Sequence, residues 1–332
     1  MEEPRRIALG YNNVYAVNAP SGRVLIDTGP DYAGAGEALI EALGGALPGQ
    51  VVATHGHLDH AGLGHMWRDR GVPVAIAAAD AHLARGAQLA TAAEHAHFVQ
   101  FIAESGAPGN LGAELLAGLD QRRRWSIAAS KDDAYLPAGR DGRWPTGLHY
   151  HPFDPSTYVI SGPLPAANGL EVVLCPGHTP GNLIVIDRRE GWLFSGDQLL
   201  PDITPTPAVQ SAPPGSAIKD WRFHSLPAFL ASLERLRGER FTRCFPGHGE
   251  PFDDVSAVLD ANIAQIEQRT ARVLDAMVPL GKSSLYGLCE ALYPRAVRRR
   301  FWQIAATVQG HLDLLEARGR VARFSGGYEL VP

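Results

Sequence analysis

Short apolar runs separated by glycine- and proline-marked turns dominate two stretches of the chain, up to about residue 80 and again from about residue 170. NVYAV (13–17) and VLIDT (24–28) flank a turn at NAPSG and read as a hairpin. GEALIEALG (36–44) has helical periodicity, while VVATH (51–55) and PVAIAA (73–78) read as buried strands with a helix from His60 to Arg70 between them. A second strand set follows at LEVVLCP (170–176), NLIVID (182–187), GWLFSG (191–196) and FTRCFPG (241–247). Before the last of these, Leu226, Phe229, Leu230, Leu233 and Leu236 share one helical face, with Ser225 expected as the N-cap. Two β-rich halves interleaved with helices predict an α/β protein with a four-layer αββα sandwich.

The pattern changes over roughly 80–165. AHLARGAQLATAAEHAHFVQFIAESG and GNLGAELLAGLDQRRRW read as helices, and a proline- and glycine-rich segment runs on through GPLPAANG. This is expected to be an insertion over the domain body, of the kind that forms a lid or a binding wall. From about residue 255 the chain turns helical, in SAVLDANIAQIEQRTARVLDAM, SSLYGLCEALYP and a stretch around 297–317. It then ends in GRVARFSGGYELVP, a two-strand ribbon turning at GG. The expected organisation is a catalytic domain over 1–255 and a helical linker with a winged-helix-like domain over 256–332.

Composition narrows the function classes. The 332 residues carry a net charge of -5, so no global basic field calls for nucleic acid or an anionic membrane. MEEPRRIALG lacks the apolar stretch of a secretory signal, and no apolar run reaches the length of a membrane span. Cys175, Cys244 and Cys289 are scattered and odd in number, which argues against a disulfide framework and for a reducing, cytoplasmic setting. Cys175 reads as a small buried residue.

The chemistry concentrates in THGHLDHAG (54–62), where His55, His57, Asp59 and His60 follow a buried strand. Imidazole nitrogen and carboxylate oxygen together suit zinc and similar divalent ions. Alternate residues of an extended loop point the same way, so His55 and His57 can converge on one ion while Asp59 and His60 face a second. A histidine-rich surface loop is the competing reading, and a metal pair demands partners downstream. CPGHTPGN supplies His178, FSGDQ supplies Asp197 and PGHGEP supplies His248, each on a glycine-bearing loop after a strand candidate.

LIDTG (25–29), THGHLDH (54–60), PGHTPG (176–181), SGD (195–197) and PGHG (246–249), in that order, resemble the metallo-β-lactamase-fold hydrolase superfamily over most of residues 5–255. The tail resembles the winged-helix extension of one branch, and SGDQLLPDITP with the insertion resembles glyoxalase II-like hydrolases. The resemblance implies two divalent metal ions, zinc before manganese or iron. His55, His57 and His178 would hold the first; Asp59, His60 and His248 the second; Asp197 would bridge them. It gives Asp27 the role of orienting the ligand loop and Asp59 a catalytic role in orienting a bridging hydroxide. One subclass of true β-lactamases has cysteine where Asp197 stands. The activity implied is hydrolysis of a small ester-type substrate, a thioester (acyl-CoA or glutathione-like) or a lactone.

The alternative is a single-strand endoribonuclease or phosphodiesterase holding RNA on the tail, where residues 276–332 carry eight Lys and Arg against four Asp and Glu. Against it, Phe301, Trp302, Ala305, Val308, Leu312 and Leu315 make a core-like stripe, which favours packing or homodimer formation. A DNA-binding regulator has no need of seven convergent ligands. His65, His82, His95, His97, His149, His151, His224 and His311 show no ligand spacing and read as surface or hydrogen-bonded residues. QRRRW (121–125) reads as a solvated helix face, and Phe98, Phe101, Trp125 and Trp144 are candidates for a substrate-pocket wall.

Overall fold

The computed structural model describes residues 2–19, 22–86, 91–129, 143–149, 151–159, 161–164, 169–205 and 209–332. Much of the proline- and glycine-rich part of the insertion lies outside them.

Two sheets face each other. One has six strands in chain order, Arg5–Leu9, Asn12–Ala19, Gly22–Ile26, Gln50–Val52, Val74–Ala77 and Thr157–Val159. The first three pair antiparallel and the rest parallel. The other has five, ordered Arg243–Pro246, Trp192–Gly196, Leu183–Asp187, Leu170–Leu174 and Gly162–Pro163. Side chains alternate across a strand, so each strand feeds two cores. Val24 and Ile26 point inward to meet Val172, Val185, Phe194 and Phe245 between the sheets. Leu25, from the same strand, points outward to pack with Leu39, Trp67 and Ile76 beneath the helices Ala35–Ala42 and Gly64–Asp69. On the far side, Ile184, Ile186 and Leu193 pack against Phe229, Leu233, Leu259 and Ile266 of the helices Ser225–Arg237 and Val255–Met277. The layers are α, β, β, α.

Two local readings change. The expected helix from His60 to Arg70 is instead two short helices, Leu58–Ala61 and Gly64–Asp69. The His60 carbonyl leaves the helical ladder to accept from Thr28 N at 2.8 Å, and Leu63 N donates to Gly29 O at 3.0 Å. Gly62 permits the break, since a Cβ there would stand 2.4 Å from Leu58 O and 2.7 Å from Asp31 N. Ser225 is the first helical residue rather than the cap; His224 holds the cap position without a side-chain cap bond.

The insertion forms the helices Ala81–Ala84, Ala92–Glu104 and Gly109–Ala129. Thr91 caps the second through its hydroxyl, which accepts from Glu94 N at 3.1 Å. Its Phe101 and Leu111 enter one core with Val273, Leu285, Phe301, Val308 and Tyr328 of the tail. Beyond Val255–Met277 the tail forms the helices Leu285–Leu292 and Phe301–Ala317. The expected ribbon, Val321–Phe324 with Gly327–Leu330, gains a third strand from Lys282–Ser283. Phe301, Ala305, Val308, Leu312 and Leu315 are buried, as their spacing predicts. Among the described residues no helix is long and apolar enough to cross a membrane.

Candidate metal centre

Strand ends deliver the chemistry to one rim of the sandwich. Asp27 follows Gly22–Ile26, the segment 53–60 follows Gln50–Val52, His178 follows Leu170–Leu174, Asp197 follows Trp192–Gly196 and His248 follows Arg243–Pro246. All seven side chains anticipated as ligands meet there.

His55 Nε2 stands 3.0 Å from His57 Nδ1, which stands 3.1 Å from His178 Nε2. His60 Nε2 lies 3.3 Å from His248 Nε2 and 3.7 Å from Asp59 Oδ2, and the last two atoms lie 3.5 Å apart. Asp197 spans the two groups. Its Oδ2 is 3.4 Å from His178 Nε2, while its Oδ1 is 3.3 Å from both His60 Nε2 and His248 Nε2. Gly247 makes room, because a Cβ there would stand 2.6 Å from the His60 ring and 2.8 Å from Asp197 Oδ1.

The donor set fits a pair of ions. Ligands held about 2.0–2.1 Å from a tetrahedral ion are separated by about 3.3–3.4 Å, the scale of these edges. His57 Nδ1 faces two imidazole nitrogens at once with only one proton or one lone pair to offer, whereas a shared ion would engage all three rings. Burial and the neighbouring rings push His55 far below its ordinary value, and burial pushes His178 down to about 3, so both rings are neutral donors. Burial opposes the proton on His60, yet Asp197, Asp27 and Asp59 outweigh it and push that ring up. Burial likewise works against the Asp197 carboxylate, but His60 and His248 hold it far below the usual range.

Backbone and side-chain acceptors fix the outer nitrogens. His60 Nδ1 donates to Asp27 Oδ2 at 2.8 Å and His248 Nδ1 to Tyr11 O at 3.0 Å, which turns each Nε2 toward the centre. Asp27 Oδ1 also accepts from Thr54 N at 2.7 Å. Asp27 has φ 68°, the one positive-φ residue other than glycine among the described residues. A left-handed aspartate costs about 1–2 kcal/mol, a strain tolerated where its carboxylate must hold two loops.

Sequence reading missed Asp80. Fully buried at the end of strand Val74–Ala77, it joins the His55–His57 loop to the His178 loop by accepting from Gly56 N, Thr179 Oγ1 and Gly181 N. The available signal was an acidic residue one turn past a strand end, as at the other site loops. Also missed were Tyr11, stacked on His248 at 4.2 Å, and Gln210, whose Nε2 donates to His178 O at 2.6 Å.

Of the four aromatic wall candidates, Trp144 alone approaches the centre. Its Nε1 donates to Asn12 Oδ1 at 2.9 Å, and Asn12 Nδ2 lies 3.4 Å from His60 Nε2. Phe98 and Phe101 pack on Trp302 of the tail, and Trp125 is exposed. His224 bonds Asp220. His65 and His151, read as unrelated, instead gather with Asp31, because the helix break at Gly62 turns His65 toward the returning insertion.

Comparison with known proteins agrees with this construction. The family description "Metallo-beta-lactamase superfamily" matches residues 7–248. The chain is 27% identical over 330 residues to the "Probable metallo-hydrolase YqjP" of Bacillus subtilis, covering 98% of this chain and 93% of that one. A Drosophila melanogaster beta-lactamase-like protein 2 homolog is 28% identical over 181 residues, 53% of this chain and 54% of that one. Among solved structures, a beta-lactamase domain protein from Burkholderia ambifaria superposes with TM-score 0.71 at 22% identity, covering 99% of this chain and 92% of that one. A metallo-beta-lactamase family protein from Thermus thermophilus gives TM-score 0.64 at 23% identity, covering 99% and 98%. With a family match over most of its length, a shared fold and the ligand-bearing loops on one rim, this chain belongs to the metallo-β-lactamase superfamily.

Proposed function

We propose that the chain is a dinuclear, zinc-class metal-dependent hydrolase of a small thioester or lactone. The observation that carries the reading is the Asp197 carboxylate, one oxygen beside His178 and the other beside His60 and His248. His55, His57 and His178 would hold one ion, Asp59, His60 and His248 the other, with Asp197 shared. Such a pair supplies a water of lowered pKa and a Lewis acid for the carbonyl oxygen.

The residues of the chain do the rest. His55, His60 and His248 are buried, whereas His57, Asp59 and His178 are partly exposed, so substrate enters on the side of the latter three. Asp59 stands on that open side with its carboxylate aimed at the centre. Burial raises its carboxyl, but His60 and then His248 outweigh this and hold it below its ordinary value, and Asp59 would orient the attacking water. Asp27 and the Tyr11 carbonyl keep the His60 and His248 rings from turning.

The tail's charges favour a small substrate over RNA. Lys282, Arg298, Arg318 and Arg323 pair with Glu329, Glu114, Glu267 and Asp220, which leaves less free positive charge than the sequence count implies. The test is a panel of thioesters, lactones, a β-lactam, a phosphodiester and RNA, run on metal-loaded protein and on an Asp197→Ala control. Turnover of a thioester or lactone, abolished by chelation and in the control, is expected. Turnover of RNA alone would replace the small-molecule reading.

A further inference from the structure

A second cluster of nitrogen and oxygen donors lies beside the candidate centre and shares none of its ligands. Asp31 comes from the loop after strand Gly22–Ile26, His65 from the helix Gly64–Asp69, and His149 and His151 from the segment returning from the insertion. Donor atoms of Asp31, His65 and His151 all lie within 4.8 Å of one another. Asp31 Oδ2 is 3.0 Å from His151 Nδ1, 3.7 Å from His149 Nδ1 and 3.9 Å from His65 Nε2. The Nδ1 atoms of His149 and His151 face each other at 2.7 Å.

The nitrogens of His65 and His151 converge on the buried Asp31 carboxylate from two further segments of the chain. His65 Nδ1 donates to Gly62 O at 3.1 Å, which leaves Nε2 as the ring nitrogen on the carboxylate side. One nitrogen from each ring and one carboxylate oxygen make a donor set of the kind that holds a borderline divalent cation. Fixing one ring nitrogen on a carbonyl so that the other can ligate is the device that also holds His248 in the main cluster. His149 and His151 further repeat the alternate-residue spacing of His55 and His57.

We propose that Asp31, His65 and His151, with His149 packed against His151, form a separate mononuclear site for a divalent transition metal ion of the zinc class. A cavity of about 510 Å³ lined by Asp31 and His65 gives the ion and its water a path from solvent. The ion fastens the end of the insertion to the loop that carries Thr28 and Gly29, whose backbone groups hold the His60–Leu63 segment. It therefore acts as a clip beside the reaction centre, with no part in bond cleavage.

The experiment counts metal in tag-free, full-length protein loaded with zinc and dialysed, read by elemental analysis, with cobalt titration followed by absorption and calorimetry. Wild type is expected to hold about three ions per chain and His65→Gln/His151→Gln about two, while Asp197→Ala keeps the site at Asp31. Circular dichroism checks that the double variant folds. If it does not, His151→Gln alone, whose ring is 37% exposed, is counted in the same way and should weaken the third ion about 10–100-fold. Equal metal content in wild type and the folded variant overturns the proposal: two ions in both means a hydrogen-bonded cluster, and three in both means metal elsewhere on the surface.

Discussion

Asp80 offers the sharpest test of how the centre is assembled, because one carboxylate ties two ligand loops and touches no anticipated ligand ring. Oδ2 accepts from Gly56 N at 3.0 Å and Thr179 Oγ1 at 2.6 Å, and Oδ1 accepts from Gly181 N at 2.6 Å. Gly56 stands between His55 and His57, and Thr179 adjoins His178. Asp80→Asn keeps the shape but replaces one acceptor with an amide NH2. Whichever way the amide turns, it sets a donor against a donor. Burial raises the Asp80 carboxyl above its ordinary value despite the three donors, so removing the charge recovers part of a desolvation cost. A buried donor left without an acceptor costs about 1–3 kcal/mol, so a net loss of about that size or somewhat less is expected. The larger effect falls on the metals, since losing a residue that positions ligands weakens binding about 10–100-fold. Urea unfolding of metal-free wild type and variant measures the first quantity, and competition with a coloured chelator measures the second. A folded Asp80→Asn protein with wild-type metal affinity would show that the two loops hold their places without this tether.

Three further outcomes follow. Asp27→Gly relaxes the left-handed backbone by about 1 kcal/mol, yet it removes the acceptor for His60 Nδ1 and Thr54 N, so metal affinity should fall about 10–100-fold; unchanged affinity would deny Asp27 its bracing role. His311 is buried against Thr270 and pushed down to about 4, so the unfolded chain takes up its proton first as pH falls. Its contribution is complete above pH 6.5 and is lost toward pH 4, up to about 3 kcal/mol; a wild-type denaturation midpoint that declines no more steeply than that of His311→Gln contradicts this. Arg222→Met should cost about 3–5 kcal/mol by stranding the buried Asp313 carboxylate, and Arg222→Met/Asp313→Leu should recover most of it; a thermal melt of the double variant no better than the single one contradicts the pairing.

The strands, the outer helices and the seven site side chains were legible because each leaves a local trace. Leu25 between Val24 and Ile26 marks a strand buried on both faces, and His55, His57, Asp59 and His60 crowd one loop. What stayed hidden depends on contacts remote in sequence. The helix break at Gly62 follows from Thr28 and Gly29 claiming the His60 carbonyl and the Leu63 amide, more than thirty residues away. Asp80 carries no local marker in ADAHLARG, since its partners at Thr179 and Gly181 come from the other half of the sandwich. The Asp31–His65–His151 group stayed hidden because three distant segments contribute one donor each, so the alternate-residue pair at His149 and His151 had no visible partners.

The tail is coupled to the site by contacts that cross residue 255. Asp313 and Gln309, one turn apart and bonded at 2.7 Å, are buried polar residues among the apolar residues of the helix Phe301–Ala317. Asp313 grips Arg222 with two bonds, at 2.6 and 2.9 Å. Arg222 lies on the short strand paired with Gln210–Ser211. Gln210 then reaches the His178 carbonyl, while Ser211 bonds His97 of the insertion at 2.8 Å. One buried ion pair thus links the last long helix, the insertion and a loop of the metal centre. A buried pair of this kind contributes little net stability against an apolar replacement, but its fixed geometry sets where the strand pair sits. The tail is therefore part of the frame that positions His178, and it shapes the centre without supplying a ligand to it.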